Sequence, residues 1–196
     1  MLKPLLLCGG FLLKQDGRCI VIIESGYMYF ISDEFFKKIN DPCLKINYKN
    51  TKRPHYYVIK DNKTSLYWVV PCSSKVDKFQ AIINKKEALN KSANAIKIIN
   101  IQGKKTALLF QDMFPISEKY FFEQYIRGGQ PVFIANPKQV ELLQKNAKKI
   151  IKMIHRDVKF TPTQPNANLI ERVMLNELQI EIAKEEAAPT TDPTTE

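Results

Sequence analysis

Long apolar runs are missing from this 196-residue chain. No stretch approaches the roughly 20 consecutive apolar residues of a membrane-spanning helix, so we expect no membrane. Histidine is scarce, with only His55 and His155. The four cysteines, Cys8, Cys19, Cys43 and Cys72, never stand as Cys-x-x-Cys. That pattern offers no zinc ligand set, and we expect neither a metal nor a cofactor. Nothing suggests a disulfide framework, so a reducing cytoplasm is the simplest location. No Gly-x-Ser-x-Gly elbow marks an acyl hydrolase. Gly128-Gly129 alone is too little for a phosphate cradle. No internal repeat is visible.

Positive charge, by contrast, is plentiful. The formal net charge is +10, and it is unevenly spread. Residues 177–196 hold six acids against Lys184, a net −5, which leaves +15 on residues 1–176. A body that basic suits a polyanion such as nucleic acid, although basicity also serves plain solubility. Hydrophobic residues make up 44%, enough to give one domain of this length a real core.

The stretch Leu66–Phe79 organises the rest. Tyr67-Trp68-Val69-Val70 reads as a strand that Pro71 stops. Val76, Phe79, Ile82 and Ile83 recur at helical spacing. Between them, Ser73 and Ser74 are good N-cap residues, followed by Lys75. A helix N-terminus offers free N–H groups and the positive end of a dipole, so two hydroxyls and an ammonium there suit a phosphate. An ordinary capped helix gives the same pattern.

Residues 1–27 look like an extension. Leu5-Leu6-Leu7-Cys8 is too short an apolar core for a signal peptide, and either Ile20–Ile23 forms a strand or the extension lies upstream of a true start at Met28. Ser32 opens a short helix that Asp41-Pro42 ends, and a basic aromatic loop follows with Lys45, Tyr48 and Arg53. Pro54–Lys60 and Leu66–Val70 predict a hairpin around Asp61-Asn62-Lys63-Thr64. Ile96–Ile101 and Thr106–Phe110 predict a second, and Met113–Ile116 and Val132–Ile134 read as short strands. Asn136-Pro137 starts a helix with an apolar stripe through Val140, Leu143, Ala147, Ile150 and Ile154. Lys148, Lys149 and Lys152 crowd its other surface, which is either a solvated face or a nucleic-acid face. A last helix covers about 168–184, and an acidic, Pro- and Thr-rich tail over 185–196 should be disordered. The fold class is therefore α+β, a compact, bent antiparallel sheet or part-barrel with inserted and C-terminal helices.

These features suit RNA. Arg53, His55, Tyr57 and Trp68 lie on one predicted hairpin, where alternation puts His55 and Tyr57 on one face. Tyr57 and Trp68 are candidates to stack unpaired bases, and Lys45, Tyr48, Arg53, Lys148, Lys149 and Lys152 to contact RNA. Tyr67 and Trp68 face opposite ways, so at least one belongs to the core. Cleavage of RNA without a metal uses the substrate's own 2′-hydroxyl. Ser73, Ser74 and Lys75 are candidates to stabilise the charge that develops, and His55 to move a proton.

From Met28 to about Leu178 the chain resembles the toxins of type III toxin–antitoxin systems, in the CptN-like branch of the ToxN/AbiQ endoribonuclease family. The residues that carry the likeness are Met28–Ser32, Arg53-Pro-His-Tyr-Tyr57 and Leu66–Val76, with Leu108–Ile116 and Tyr125–Val132. The resemblance implies a core like that of messenger-RNA interferases and sequence-selective RNA cleavage to a 2′,3′-cyclic phosphate. It implies as partners cellular or phage RNA substrates and a small antitoxin RNA, cut from a repeat precursor and held in a closed toxin–RNA ring. It also implies a role in abortive infection by phage. The family's Thr/Ser-Ser-(x)-Lys active-site segment falls on Ser73, Ser74 and Lys75, with the Lys following the serines directly where some members insert a residue. A non-catalytic RNA-binding relative is the competing reading.

Overall fold

The structure, a computed structural model, describes residues 11–13, 19–21, 23–47 and 51–187. Near the N-terminus β1 (Phe11–Leu13) and β2 (Cys19–Val21) pair antiparallel. The main sheet has seven strands among the described residues. They are β3 (Met28–Ile31), β4 (Pro54–Lys60), β5 (Tyr67–Ser73), β6 (Lys97–Ile101), β7 (Lys104–Leu108), β8 (Phe114–Ile116) and β9 (Phe121–Gln124). A two-residue hairpin, β10 (Ile126–Arg127) and β11 (Gln130–Pro131), follows. Four helices are added: α1 (Asp33–Ile39), α2 (Val76–Ala88), α3 (Pro137–Ile154) and α4 (Ala167–Glu186).

The sheet is open and antiparallel, in the order β6-β7-β5-β4-β3-β9. β7 and β8 lie end to end along one edge of β5. Its first half pairs β8 (Tyr67 with Ile116) and its last residues pair β7 (Ser73 with Ala107). Pro71 falls at the gap between them. Its carbonyl accepts from Leu109 N–H on that edge, so its missing N–H breaks no ladder bond there. The strand therefore does not stop at Pro71, as the sequence suggested, but runs on to Ser73.

Both faces of the central strands are covered. Met28, Tyr56, Val58, Trp68 and Val70 pack with Leu143, Ala147, Ile150 and Ile154 of α3. Tyr29, Tyr57, Tyr67 and Val69 face the other way, with Phe35 and Phe36 of α1 and Ile170 and Met174 of α4. Alternation thus fills two cores instead of one core and one wet face. Asn136 caps α3 as expected, its Oδ1 accepting from Lys138 and Gln139 N–H. Ser32 stands at the N-cap of α1 but makes no side-chain cap bond. α4 extends two residues beyond its expected end. It is pinned by Glu177, which accepts from Lys38, from Lys119 at 2.8 Å and from Tyr120 Oη at 2.9 Å.

The chain engages the sheet before Met28. Gly26 N–H donates to Tyr57 O, Gly26 O accepts from Ile134 N–H, and Tyr27 stacks on Phe133 at 5.0 Å. Gly26 has φ +96°, a conformation open to glycine at little cost. Residues 188–196 of the acidic tail lie outside the described residues. No helix among the described residues is long and apolar enough to cross a membrane.

Candidate functional site

A cleft of about 420 Å³ opens where β4 begins and β5 ends, a typical size for a ligand pocket. Its floor is the rim of the α3-side core: Met28, Cys72, Ile101 and Val132. Five cations line it, Lys52, Arg53, Lys75, Lys104 and Arg127, and among the described residues no carboxylate does. Thr51, Ser73, Ser74, Thr106 and Tyr125 add hydroxyls. Such a lining accepts an anion with several charged oxygens.

The Ser-Ser-Lys turn is built differently from a Ser-capped helix. Because β5 consumes Ser73, the helix starts later and Lys75 takes the cap position. Ser73 Oγ accepts from Lys75 N–H at 3.3 Å, Ser74 O accepts from Val76 N–H at 2.9 Å, and α2 has no side-chain cap. Ser74 and Lys75 are exposed, and Lys75 Nζ makes no ion pair among the described residues. The ammonium is therefore free for a ligand.

Arg53 is the fixed cation of the site. Its N–H donates to Asn47 Oδ1 at 2.8 Å, and Asn47 in turn donates to Asp33 Oδ1, tying the loop to α1. Its Nη1 donates to Cys72 O at 2.9 Å, while Nε is buried without a partner among the described residues. Lys52 is committed to Glu123 at 2.8 Å and lies 3.9 Å from the centre of the Phe122 ring. Arg127 Nη2 donates to Ile101 O and Gln102 O at 3.0 and 2.9 Å. Lys104 is exposed and has no carboxylate partner among the described residues.

Several expected site residues lie elsewhere. His55 is fully buried between the rings of Phe36 and Phe114, at 6.1 and 5.5 Å. Burial, with the Arg53 charge, pushes its pKa down to about 3. Among the described residues neither ring nitrogen has a partner of good hydrogen-bond geometry, although the Arg53 backbone offsets part of the lowering. His55 and Tyr57 do share a face, but that face lies under α1 and α4. Tyr57 and Trp68 are both core residues, 7% and 0% exposed, so neither presents a ring to a base. Lys45 pairs at 3.8 Å with buried Asp112, whose carboxyl burial pushes up to about 6. Lys148, Lys149 and Lys152 are exposed on α3, outside the cleft. Tyr48 lies outside the described residues. Of the expected residues, the cleft brings together Arg53, Ser73, Ser74 and Lys75.

The sequence reading missed Lys104, Thr106, Tyr125 and Arg127. Lys104 and Arg127 each stand beside a turn glycine, which is the only local signal for them. Nothing local says that the two turns meet. Among the described residues no group of three His, Cys, Asp or Glu is placed to hold a metal ion. No protein-family model matches the chain, and no curated protein matches it either.

Proposed function

We propose that this protein is an RNA-cleaving toxin of the type III toxin–antitoxin kind. In this reading it is a sequence-selective endoribonuclease of the cytoplasm, restrained by a small RNA that it cuts from a repeat precursor. The observation that carries the reading is the cleft: five cations, four aliphatic hydroxyls and, among the described residues, no carboxylate around the Ser73-Ser74-Lys75 turn. The sequence likeness over Met28–Leu178 adds the toxin identity, the closed RNA ring and the abortive-infection role.

In the reaction the 2′-oxygen of a ribose attacks the adjacent phosphorus as it loses its proton. The bond from phosphorus to the 5′-oxygen of the next nucleotide breaks, that oxygen takes up a proton, and a 2′,3′-cyclic phosphate remains. Both nucleophile and leaving group belong to the RNA, so the protein's part is alignment, charge stabilisation and proton transfer. Ser73 and Ser74 hydroxyls and Arg53 hold the non-bridging oxygens. Lys75, free of any carboxylate, meets the charge that grows on them in the transition state. His55 is sealed from the cleft, and its proton role passes to cleft groups or water.

The burial of His55 favours the second reading, an RNA-binding relative that does not cut. Single-turnover incubation of purified protein with RNA in chelator separates the two. Cleavage by wild type, reduced about 10²–10³-fold in Lys75→Ala, is the expected result. Binding without cleavage by wild type selects the second reading. Cleavage by Lys75→Ala at the wild-type rate moves the active site away from this turn.

A further inference from the structure

We propose that the far end of the cleft is a second phosphate subsite formed by Lys104 and Arg127, with Tyr125 holding the nucleotide that precedes it. The inference rests on the cleft being an RNA site. It makes the ligand a single strand that carries at least two phosphates, not a mononucleotide.

The geometry starts with two hairpin turns locked together. Arg127 Nη2 is spent on the carbonyls of Ile101 and Gln102, and Gln102 Nε2 donates to Pro131 O at 3.0 Å. A guanidinium has five N–H donors, so Nη1 and Nε keep three for a ligand. The anchoring carbonyls orient the group but leave its charge uncancelled. A planar donor already held in place loses little freedom on taking a phosphate. Lys104, the first residue of β7, adds a second charge from the same turn.

The separation of Lys104 from Ser73 follows from the strand register. Ser73 pairs with Ala107, and Lys104 lies three residues further along β7. At about 3.4 Å per residue that is roughly 10 Å. Three nucleotides at the stacked spacing of about 3.4 Å cover the distance, and fewer do when the strand is extended.

Tyr125 is the cleft's aromatic side chain. Its N–H donates to Met28 O at 2.7 Å, and its carbonyl accepts from Val132 N–H at 2.9 Å. Its ring packs edge-on against Phe30 at 5.2 Å. Backbone and ring are thus both held, while the half-buried side chain borders the cleft. A rigid amphipathic ring at the cleft wall takes the stacking role that buried Tyr57 and Trp68 cannot fill.

The test measures binding of a fluorescent, random-sequence 2′-fluoro RNA 12-mer across a salt series. This RNA has no 2′-hydroxyl and cannot be cleaved. Lys104 is exposed and unpaired, so Lys104→Gln folds as wild type and is the main variant. It should lower the slope of log affinity against log salt by about 1, as Lys75→Gln should. Lys63→Gln, at the opposite end of the β4–β5 hairpin, should leave the slope unchanged. Tyr125→Leu should weaken binding about 5- to 150-fold with little change of slope, the range for one base–aromatic stack. If Lys75→Gln lowers the slope and Lys104→Gln does not, the second subsite is overturned and the RNA reading stands. If Tyr125→Leu binds as wild type does, Tyr125 has no part in the subsite. If wild type does not bind the 12-mer, the RNA reading falls and this inference with it.

Discussion

Replacing His55 by Leu should remove a penalty that the folded chain carries below about pH 6.5. The ring is fully buried, and burial with the Arg53 charge holds its pKa at about 3, against an ordinary 6.5. Between those values the unfolded chain binds a proton that the folded chain does not. Stability therefore falls as pH falls through that window. At 1.36 kcal/mol per pH unit the full loss is about 5 kcal/mol, of which about 3 appears between pH 6.5 and 4.5. Asp112 acts in the opposite sense. Burial raises its carboxyl from 3.8 to about 6, so there the folded chain keeps a proton that the unfolded chain has lost. Its contribution to stability falls as pH rises through that range, by about 3 kcal/mol in all.

The two windows overlap, and His55 has the larger effect. Urea titrations of wild type, His55→Leu and Asp112→Asn at pH 7 and pH 4.5 separate them. On going to pH 4.5, His55→Leu should lose about 3 kcal/mol less than wild type, and Asp112→Asn about 2 kcal/mol more. At pH 7 His55→Leu should be close to neutral, because an apolar group replaces two buried nitrogens that lack good partners. Parallel pH profiles for wild type and His55→Leu would refute the reasoning. They would mean that the ring takes up its proton without cost, and His55 would return to the proton-transfer candidates.

Two further outcomes concern the surface. Replacing Lys148, Lys149 and Lys152 together by Gln should reduce the salt slope of antitoxin-RNA binding by up to about 3, if the α3 face contacts phosphates. An unchanged slope returns that face to plain solvation. Removing residues 188–196 should leave melting temperature and RNA cleavage unchanged, since that Thr-, Pro- and acid-rich composition buries little apolar surface. A drop in melting temperature would show that the tail docks.

The helices and hairpins were legible because local chemistry decides them. Asn136-Pro137 and the stripe from Val140 to Ile154 define α3 before any tertiary contact is known. Gln102-Gly103 marks a turn because Gln102 and Gly103 both adopt positive φ there, 48° and 82°. The Ser-Ser-Lys turn was legible as well, but its cap was not, because strand pairing with β7 draws Ser73 into the sheet. The aromatic face was misread for a related reason. Alternation correctly separates Trp68 from Tyr67 and groups His55 with Tyr57. It says nothing about whether a second helix covers the other face, and α1 and α4 do so from both sides of β4–β5 in sequence. Lys104 and Arg127 stand 23 positions apart, and only the docking of their two turns makes them neighbours.

Because both sheet faces are filled, a ligand has to be met at the ends of strands. There the chain has backbone carbonyls to spare, and the cleft uses them. Cys72 O holds Arg53, and Ile101 O and Gln102 O hold Arg127. A carboxylate in the same positions would hold the guanidinium groups equally well but would cancel their charge. Carbonyl anchors fix the direction of each cation and leave its field intact. Lys75 and Lys104 complement them as long side chains without ion-pair partners among the described residues, able to follow a phosphate as its charge grows or as the strand shifts. Fixed guanidinium groups at both ends and movable ammonium groups beside them suit a ligand that must be held in register while one bond in it is rearranged. On that division of labour, Arg53→Lys is not a conservative change. It keeps the charge but loses the planar fork held by Cys72 O, and it should impair alignment more than binding.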